Sequence, residues 1–157
     1  MTPQLSITTH VRPDVRAEAA AMAIMADAFD PRFGEAWNSR QLSGFTALPR
    51  VSLAIARVNA AFMGFTLTRY VSDEAELMLL AVGSEWRRRG IGEALLEDCL
   101  GSARKAGIKK LHLEVRANNP AVKLYSKMGF ENIHCRPSYY KGSDGTPYDA
   151  LSYQIDV

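Results

Sequence analysis

The sequence is poor in cysteine: Cys99 and Cys135 are the only two, with no C-x-x-C pair and no His/Cys cluster at zinc-ligand spacing. That excludes a disulfide-stapled scaffold and a structural zinc site, and leaves no expected metal of any kind. Long hydrophobic runs are missing too. AAAMAIMA and LMLLAV fall far short of the roughly 20 apolar residues a membrane-spanning helix needs. The stretch MTPQLSITTHVRP has no basic segment leading into an apolar one, so nothing in it reads as a secretory leader. A cytoplasmic protein is expected, with no membrane partner. No large charge excess exists either: 19 Lys+Arg stand against 17 Asp+Glu, which argues against a general polyanion binder and makes any anion site local. Repeats, low-complexity tracts and Gly/Pro-rich linkers are absent, so residues 1–157 are expected to form one domain.

What is present fits an ordinary globular chain, 47% hydrophobic and 23% charged. Leu5 to Thr8 reads as a short strand, after which Pro13 and Asp14 open a helix that ends at Asp30-Pro31. The segment PRFGEAWNSRQLSGFTALP is irregular and then forms a short helix capped by Asn38. VSLAIARV, AAFMGFTLTRYV and AELMLLAV follow as an antiparallel meander. The third is apolar from Leu77 to Val82, as in a strand covered on both faces. GEALLEDCLGSARKAG has helical rhythm, with Cys99 on its apolar side as a buried free thiol. In LHLEVR, Leu111, Leu113 and Val115 point one way while His112, Glu114 and Arg116 point the other. NNPAVKLYSKMGF carries a full set of helix signals: Asn119 as cap, Pro120 at the first position, and Gly129-Phe130 as the stop. Two closing strands give the order β-α-α-β-β-β-α-β-α-β-β, a mixed α/β layer.

One stretch is electrostatically odd. Arg87-Arg88-Arg89-Gly90-Ile91-Gly92 piles positive charge on a helix start, which is already the positive end of the helix dipole. A strand leading into a glycine-rich turn and a helix makes a cradle of backbone N–H groups for phosphate oxygens, and the arginines would offset the charge of such an anion. The spacing is neither a dinucleotide fingerprint nor a P-loop.

AVGSEWRRRGIGEALL resembles the R-x-x-G-x-G acyl-coenzyme A motif of the Gcn5-related N-acetyltransferases (GNAT), with Arg87, Gly90 and Gly92 at the signature positions. LHLEVRANNPAVKLYSKMGFENIHCRPSYY continues the resemblance, closest to the RimI-type ribosomal-protein-alanine N-acetyltransferases. The resemblance spans residues 75 to 157 and is loose in the N-terminal half. It implies the GNAT fold, a mixed, mostly antiparallel sheet of six to seven strands with helices on both faces and strands 4 and 5 splayed. It also implies acetyl-CoA as co-substrate, with Leu80, Ala81 and Val82 along the thioester and pantetheine arm. Arg87, Arg88, Arg89, Gly90, Ile91, Gly92 and Glu93 would lie at the pyrophosphate, and Asn119 would be a further cofactor contact. Glu114 matches the general base and Tyr125 the general acid.

Arg136, Tyr139 and Tyr140 match a region that walls the peptide slot in that group. The implied acceptor is the N-terminal alanine of the eighteenth small-subunit ribosomal protein, reached by direct attack without an acyl-enzyme. PRFGEAWNSRQ departs from the group in length and composition, and Gly83-Ser84 replaces a common Asp-Pro, so the alternatives are another protein N-terminus or a small amine. The non-enzymatic alternative is a nucleic-acid or CoA-binding module. The acetyltransferase reading carries no direct nucleic-acid contact and a monomer or weak dimer.

Overall fold

The computed structural model describes residues 4–157. Residues 1–3, the start of the expected domain and of the stretch read for a leader, lie outside the described residues. One seven-stranded sheet runs in the order β1 (Ser6–His10), β2 (Val51–Val58), β3 (Ala61–Val71), β4 (Glu74–Val82), β5 (Lys110–Arg116), β7 (Pro147–Asp156) and β6 (Glu131–Lys141). All pairings are antiparallel except that of β4 with β5. Four helices cover it: α1 (Val15–Ala28), α2 (Ser39–Thr46), α3 (Ile91–Lys105) and α4 (Ala121–Lys127). Among the described residues, no helix is long and apolar enough to cross a membrane.

Local chemistry sets the helix ends. Asp14 caps α1 by accepting from the Ala17 N–H at 2.9 Å, and Asn38 and Gln41 form a reciprocal capping box on α2, each bond 2.8 Å. Asn119 accepts from the Ala121 N–H at 2.9 Å, so α4 starts one residue later than the Pro120 expectation. Gly129, at φ 97°, stops that helix in the left-handed region. The Phe130 N–H then returns to the Tyr125 carbonyl at 3.0 Å, and the Phe130 ring packs on Tyr125.

Two features of β4 decide where chemistry can occur. Leu67 opposes Leu79 while Thr68 opposes Leu77, so Met78 is an extra, unpaired residue. A one-residue bulge reverses the facing of everything beyond it. Ala75 and Leu77 therefore pack with α3 and β5, whereas Leu79 and Ala81 pack against α1, Phe65 and Leu67 on the other face. This is why the strand is apolar without alternation. Further, β4 pairs with β5 only over Glu74↔Lys110, Ala75↔Leu111 and Glu76↔His112. Beyond these three pairs the strands part, and the β4 edge from Leu77 to Val82 has no strand partner on that side.

The β5 alternation holds: Leu111, Leu113 and Val115 are buried beneath α3 and α4. Cys99 is buried in the same cluster, its thiol 3.5 Å from the Thr68 hydroxyl. β6 is an edge strand, exposed along almost its whole length and irregular between Arg136 and Tyr140, where Ser138 has φ 52°. Such bends keep an open edge from recruiting another strand.

Candidate active site

The turn from β4 into α3 is anchored to α1. Asp27 accepts from the Ser84 N–H at 2.7 Å and the Ser84 hydroxyl at 2.8 Å, bonds that hold its carboxyl below the usual carboxylate range. Arg87 donates to the Ala28 carbonyl at 2.7 Å, where a cation suits the negative end of α1. The side chain of the motif's first arginine is thus engaged with the end of α1. Arg89 lies over the Trp86 ring at 5.2 Å. Arg88 has φ 62° and Gly90 φ 78°, and this recurrence of left-handed residues aims successive N–H groups to one side, as an anion nest requires. The N–H groups of Ile91, Gly92 and Glu93 precede the first helical bond, Ala94 N–H to Gly90 carbonyl at 3.0 Å, and add the helix start to that cradle. The donor set fits a pyrophosphate through its backbone.

The two glycines do different work. Gly90 supplies the left-handed φ in open space, whereas a Cβ at Gly92 would meet Leu124 at 3.0 Å, so Gly92 is fixed by the contact of α3 with α4. Glu93 pairs with Lys127 of α4 at 2.9 Å. Leu80 and Val82 pack with Ile91 and Leu95 on the α3 side, and Ala81 on the α1 side. The Asn119 oxygen is spent on α4, while its amide N–H groups stay available to a ligand.

Glu114 and Tyr125 stand on opposite faces of β5. Tyr125 lies in the cluster formed with Leu113 and Val115, its ring near Phe130 and Tyr153. Burial, with the nearby Cys99 adding to it, pushes its phenol well above the ordinary tyrosine value, so it stays protonated. Among the described residues Arg116 Nε is the one buried side-chain polar atom without a partner. The Tyr125 hydroxyl, which has no hydrogen-bond partner there, therefore reaches accessible space.

Glu114 projects from the other face of β5, where Arg136 of β6 grips it: Nη2 lies 2.6 Å from both carboxylate oxygens and Nε 3.2 Å from Oε2. The Arg136 guanidinium also lies 3.7 Å over the Tyr139 ring, and Tyr139 meets Tyr140 edge to face at 5.2 Å. Burial, with the Glu114 and Glu35 carboxylates adding to it, pushes Tyr140 up to about 12. The three expected slot residues are therefore gathered beside the expected base.

The alternation on β5 gives no hint of how Arg116 is used. Although it shares the Glu114 face, it is only 5% exposed. Its guanidinium lies 3.5 Å over the Phe33 ring and donates to Glu35 at 3.0 Å and to Asn118. Phe33 meets Tyr148 edge to face at 5.4 Å, and the Ser143 N–H bonds the Arg32 carbonyl at 2.8 Å. The divergent segment after α1 is thus pinned to the β6–β7 loop and walls the Glu114 side. A cavity of about 220 Å³ beside the α1 link, lined by Ile24, Asp27, Phe62 and Trp86 among others, includes neither Glu114 nor Tyr125.

The sequence profile of the family described as "Acetyltransferase (GNAT) domain" matches residues 11–151. The chain belongs to the GNAT acetyltransferase family. This acetyltransferase is similar to the [ribosomal protein bS18]-alanine N-acetyltransferase of Escherichia coli strain K12, 41% identical over 100 residues, 63% of this chain and 67% of that protein. A similarly named protein of Haemophilus influenzae is 34% identical over 93 residues, 59% of this chain and 64% of that protein. The crystal structure of the ribosomal-protein-S18-alanine N-acetyltransferase from Escherichia coli superposes with a TM-score of 0.85 at 29% identity, over 98% of this chain and 94% of that one.

Proposed function

We propose that this GNAT member transfers acetyl from acetyl-CoA to the N-terminal alanine of ribosomal protein S18, as a single-domain cytoplasmic enzyme that needs no metal. The observation that carries this reading is the placement of Glu114 and Tyr125 on opposite faces of β5, beside the unpaired edge of β4. Acetyl-CoA supplies an activated acyl group as its thioester; the chain's residues supply position and protons. The Gly90 and α3 N–H groups would hold the pyrophosphate, and the free β4 edge would lead the pantetheine arm into the opening.

Glu114 faces the acceptor side. An α-amine has a reference pKa of about 7.7–8.0, so much of it is ammonium at neutral pH, and a carboxylate within reach, directly or through one water, makes it nucleophilic. As the N–C bond forms, a β4 backbone N–H without a strand partner can donate to the oxygen that gains charge. As the C–S bond breaks, Tyr125 gives its proton to the sulfur, whose thiol has a reference pKa of about 8.5. Held above its ordinary value by burial, the phenol stays protonated until negative charge develops on the departing sulfur. Two protons leave the nitrogen: the first passes through Glu114 to solvent before attack, the second stays on Glu114 as the amide forms, and Glu114 so protonated and Tyr125 so ionised are then reset by solvent.

Peptides beginning Ala-Arg, Ser or Met, incubated with acetyl-CoA, test the acceptor. Transfer to the Ala-Arg peptide above the others is expected. Transfer to another N-terminus or a small amine would move the enzyme to a different acceptor, and steeply salt-dependent nucleic-acid binding without transfer would favour a binding module.

A further inference from the structure

We propose that Arg136 is a displaceable cap on Glu114, a positioning residue that keeps the base from uncharged nucleophiles until an acceptor ammonium takes its place. This rests on the reading of Glu114 as the base. Three contacts from Arg136, at 2.6, 2.6 and 3.2 Å, occupy the carboxylate lone pairs that an incoming proton would use. A cationic amine can exchange with the guanidinium while charge at the carboxylate is conserved. Water cannot, because it would leave the carboxylate without a cation.

The pair is built for release. Its side chains are 44% and 27% exposed, and ion pairs open to water hold weakly. While it grips Glu114 the same guanidinium lies 3.7 Å over the Tyr139 ring, a contact that can hold it as the ion pair opens. It stands on an exposed edge strand just before the irregular stretch around Ser138, so movement there disturbs no core packing. The other charged or titratable groups on this side are Tyr139 and Tyr140 of β6, Arg116 and, one alternation away, His112 of β5, and Glu35 of the segment after α1. Arg116 is buried and committed to Glu35. Arg136 is therefore the mobile cation.

A capped base suppresses waste of the acyl donor. Were water to reach Glu114, its oxygen would bond the acetyl carbon as the C–S bond broke, with one proton going to Glu114 and another from Tyr125 to sulfur, giving acetate and free CoA. Release of CoA thiol without any acceptor reads this step directly.

In Arg136→Gln that hydrolysis is expected to rise roughly two- to fivefold, and the acceptor KM to fall by a similar factor, because the weak pair no longer competes. Arg136→Lys, which keeps the charge but loses the fork and the ring stacking, should fall between the wild type and Arg136→Gln in both, and acetyl-CoA affinity should not change in either variant. Adding Glu114→Gln should remove the extra hydrolysis. Unchanged hydrolysis in Arg136→Gln overturns the proposal, whatever happens to KM, and so does a rise that survives Glu114→Gln. The hydrolysis arm needs no acceptor, so it reads the cap even if transfer to alanine peptides fails, which would count against the substrate alone.

Discussion

Glu114 and Tyr125 stand on opposite sides of the sheet: Glu114 leaves β5 on the face of Arg136 and Tyr140, and Tyr125 packs on the face formed by Leu113 and Val115. The short β4–β5 pairing leaves the two strands apart beyond Glu76 and His112, and in the proposed reaction donor and acceptor would use different faces of the sheet.

Tyr125→Phe separates chemistry from packing. The phenylalanine keeps the ring contacts with Phe130 and Tyr153 and loses a hydroxyl without a protein partner. A kcat at least about 100-fold lower is expected, with acetyl-CoA affinity and the melting temperature near those of the wild type. Steady-state kinetics, calorimetric titration and thermal melts check the three. An unchanged kcat would remove Tyr125 from the reaction.

The raised pKa of Tyr125, and of Tyr140 at about 12, has a consequence for stability. In the unfolded chain tyrosine ionises near about pH 10, whereas the folded protein keeps both phenols neutral. Their contribution is fully present below about pH 10 and is lost as pH rises through the folded values, because the unfolded state then binds fewer protons. Melting temperatures should fall from pH 9 to about pH 11, and fall less in Tyr125→Phe. Equal slopes for the two proteins would show that the buried phenol is not responsible.

Arg87 and Arg88 are neighbours with opposite expected phenotypes. Arg87 ties the turn to the Ala28 carbonyl, so Arg87→Ala should cost about 0.5–1 kcal/mol of stability with a small change in donor binding. Arg88→Glu places a carboxylate on the anion cradle and should weaken acetyl-CoA binding at least about tenfold, or 1.4 kcal/mol, with the fold intact. Urea unfolding and calorimetric titration distinguish the two, and a reversed pattern would place the anion elsewhere.

Gly92→Ala should cost about 1–3 kcal/mol, because its Cβ would press on Leu124 at 3.0 Å. Gly90→Ala should cost about 1–2 kcal/mol through its left-handed φ of 78°. If the cause is right, Leu124→Ala restores part of the first loss and none of the second, as a double-mutant cycle in urea would measure.

Legibility followed sequence distance. The Asn38 box, the Gly129 stop and the β5 alternation are written in neighbouring residues, and the structure contains each of them. The bulge at Met78 left no trace because an all-apolar strand has no alternation to break. The three-pair β4–β5 contact joins strands separated by α3, and only the family resemblance anticipated the splay. The tie of Arg87 to the Ala28 carbonyl was not legible because that partner lies on another element. The burial of Arg116 was not legible because its cover, Phe33 and Glu35, sits in an irregular segment with no periodicity to read. The grip of Arg136 on Glu114 crosses from β5 to β6, so spacing along the chain could place both residues at a site and still miss their contact.

Intact-mass spectrometry of ribosomal protein S18 lacking its initiator methionine, incubated with acetyl-CoA and this enzyme, tests the central claim most directly. The expected result is the gain of a single acetyl group, located on the α-amine of the N-terminal alanine by fragmentation, and its loss with Glu114→Gln. No gain, a gain on lysine, or full transfer by Glu114→Gln would contradict it.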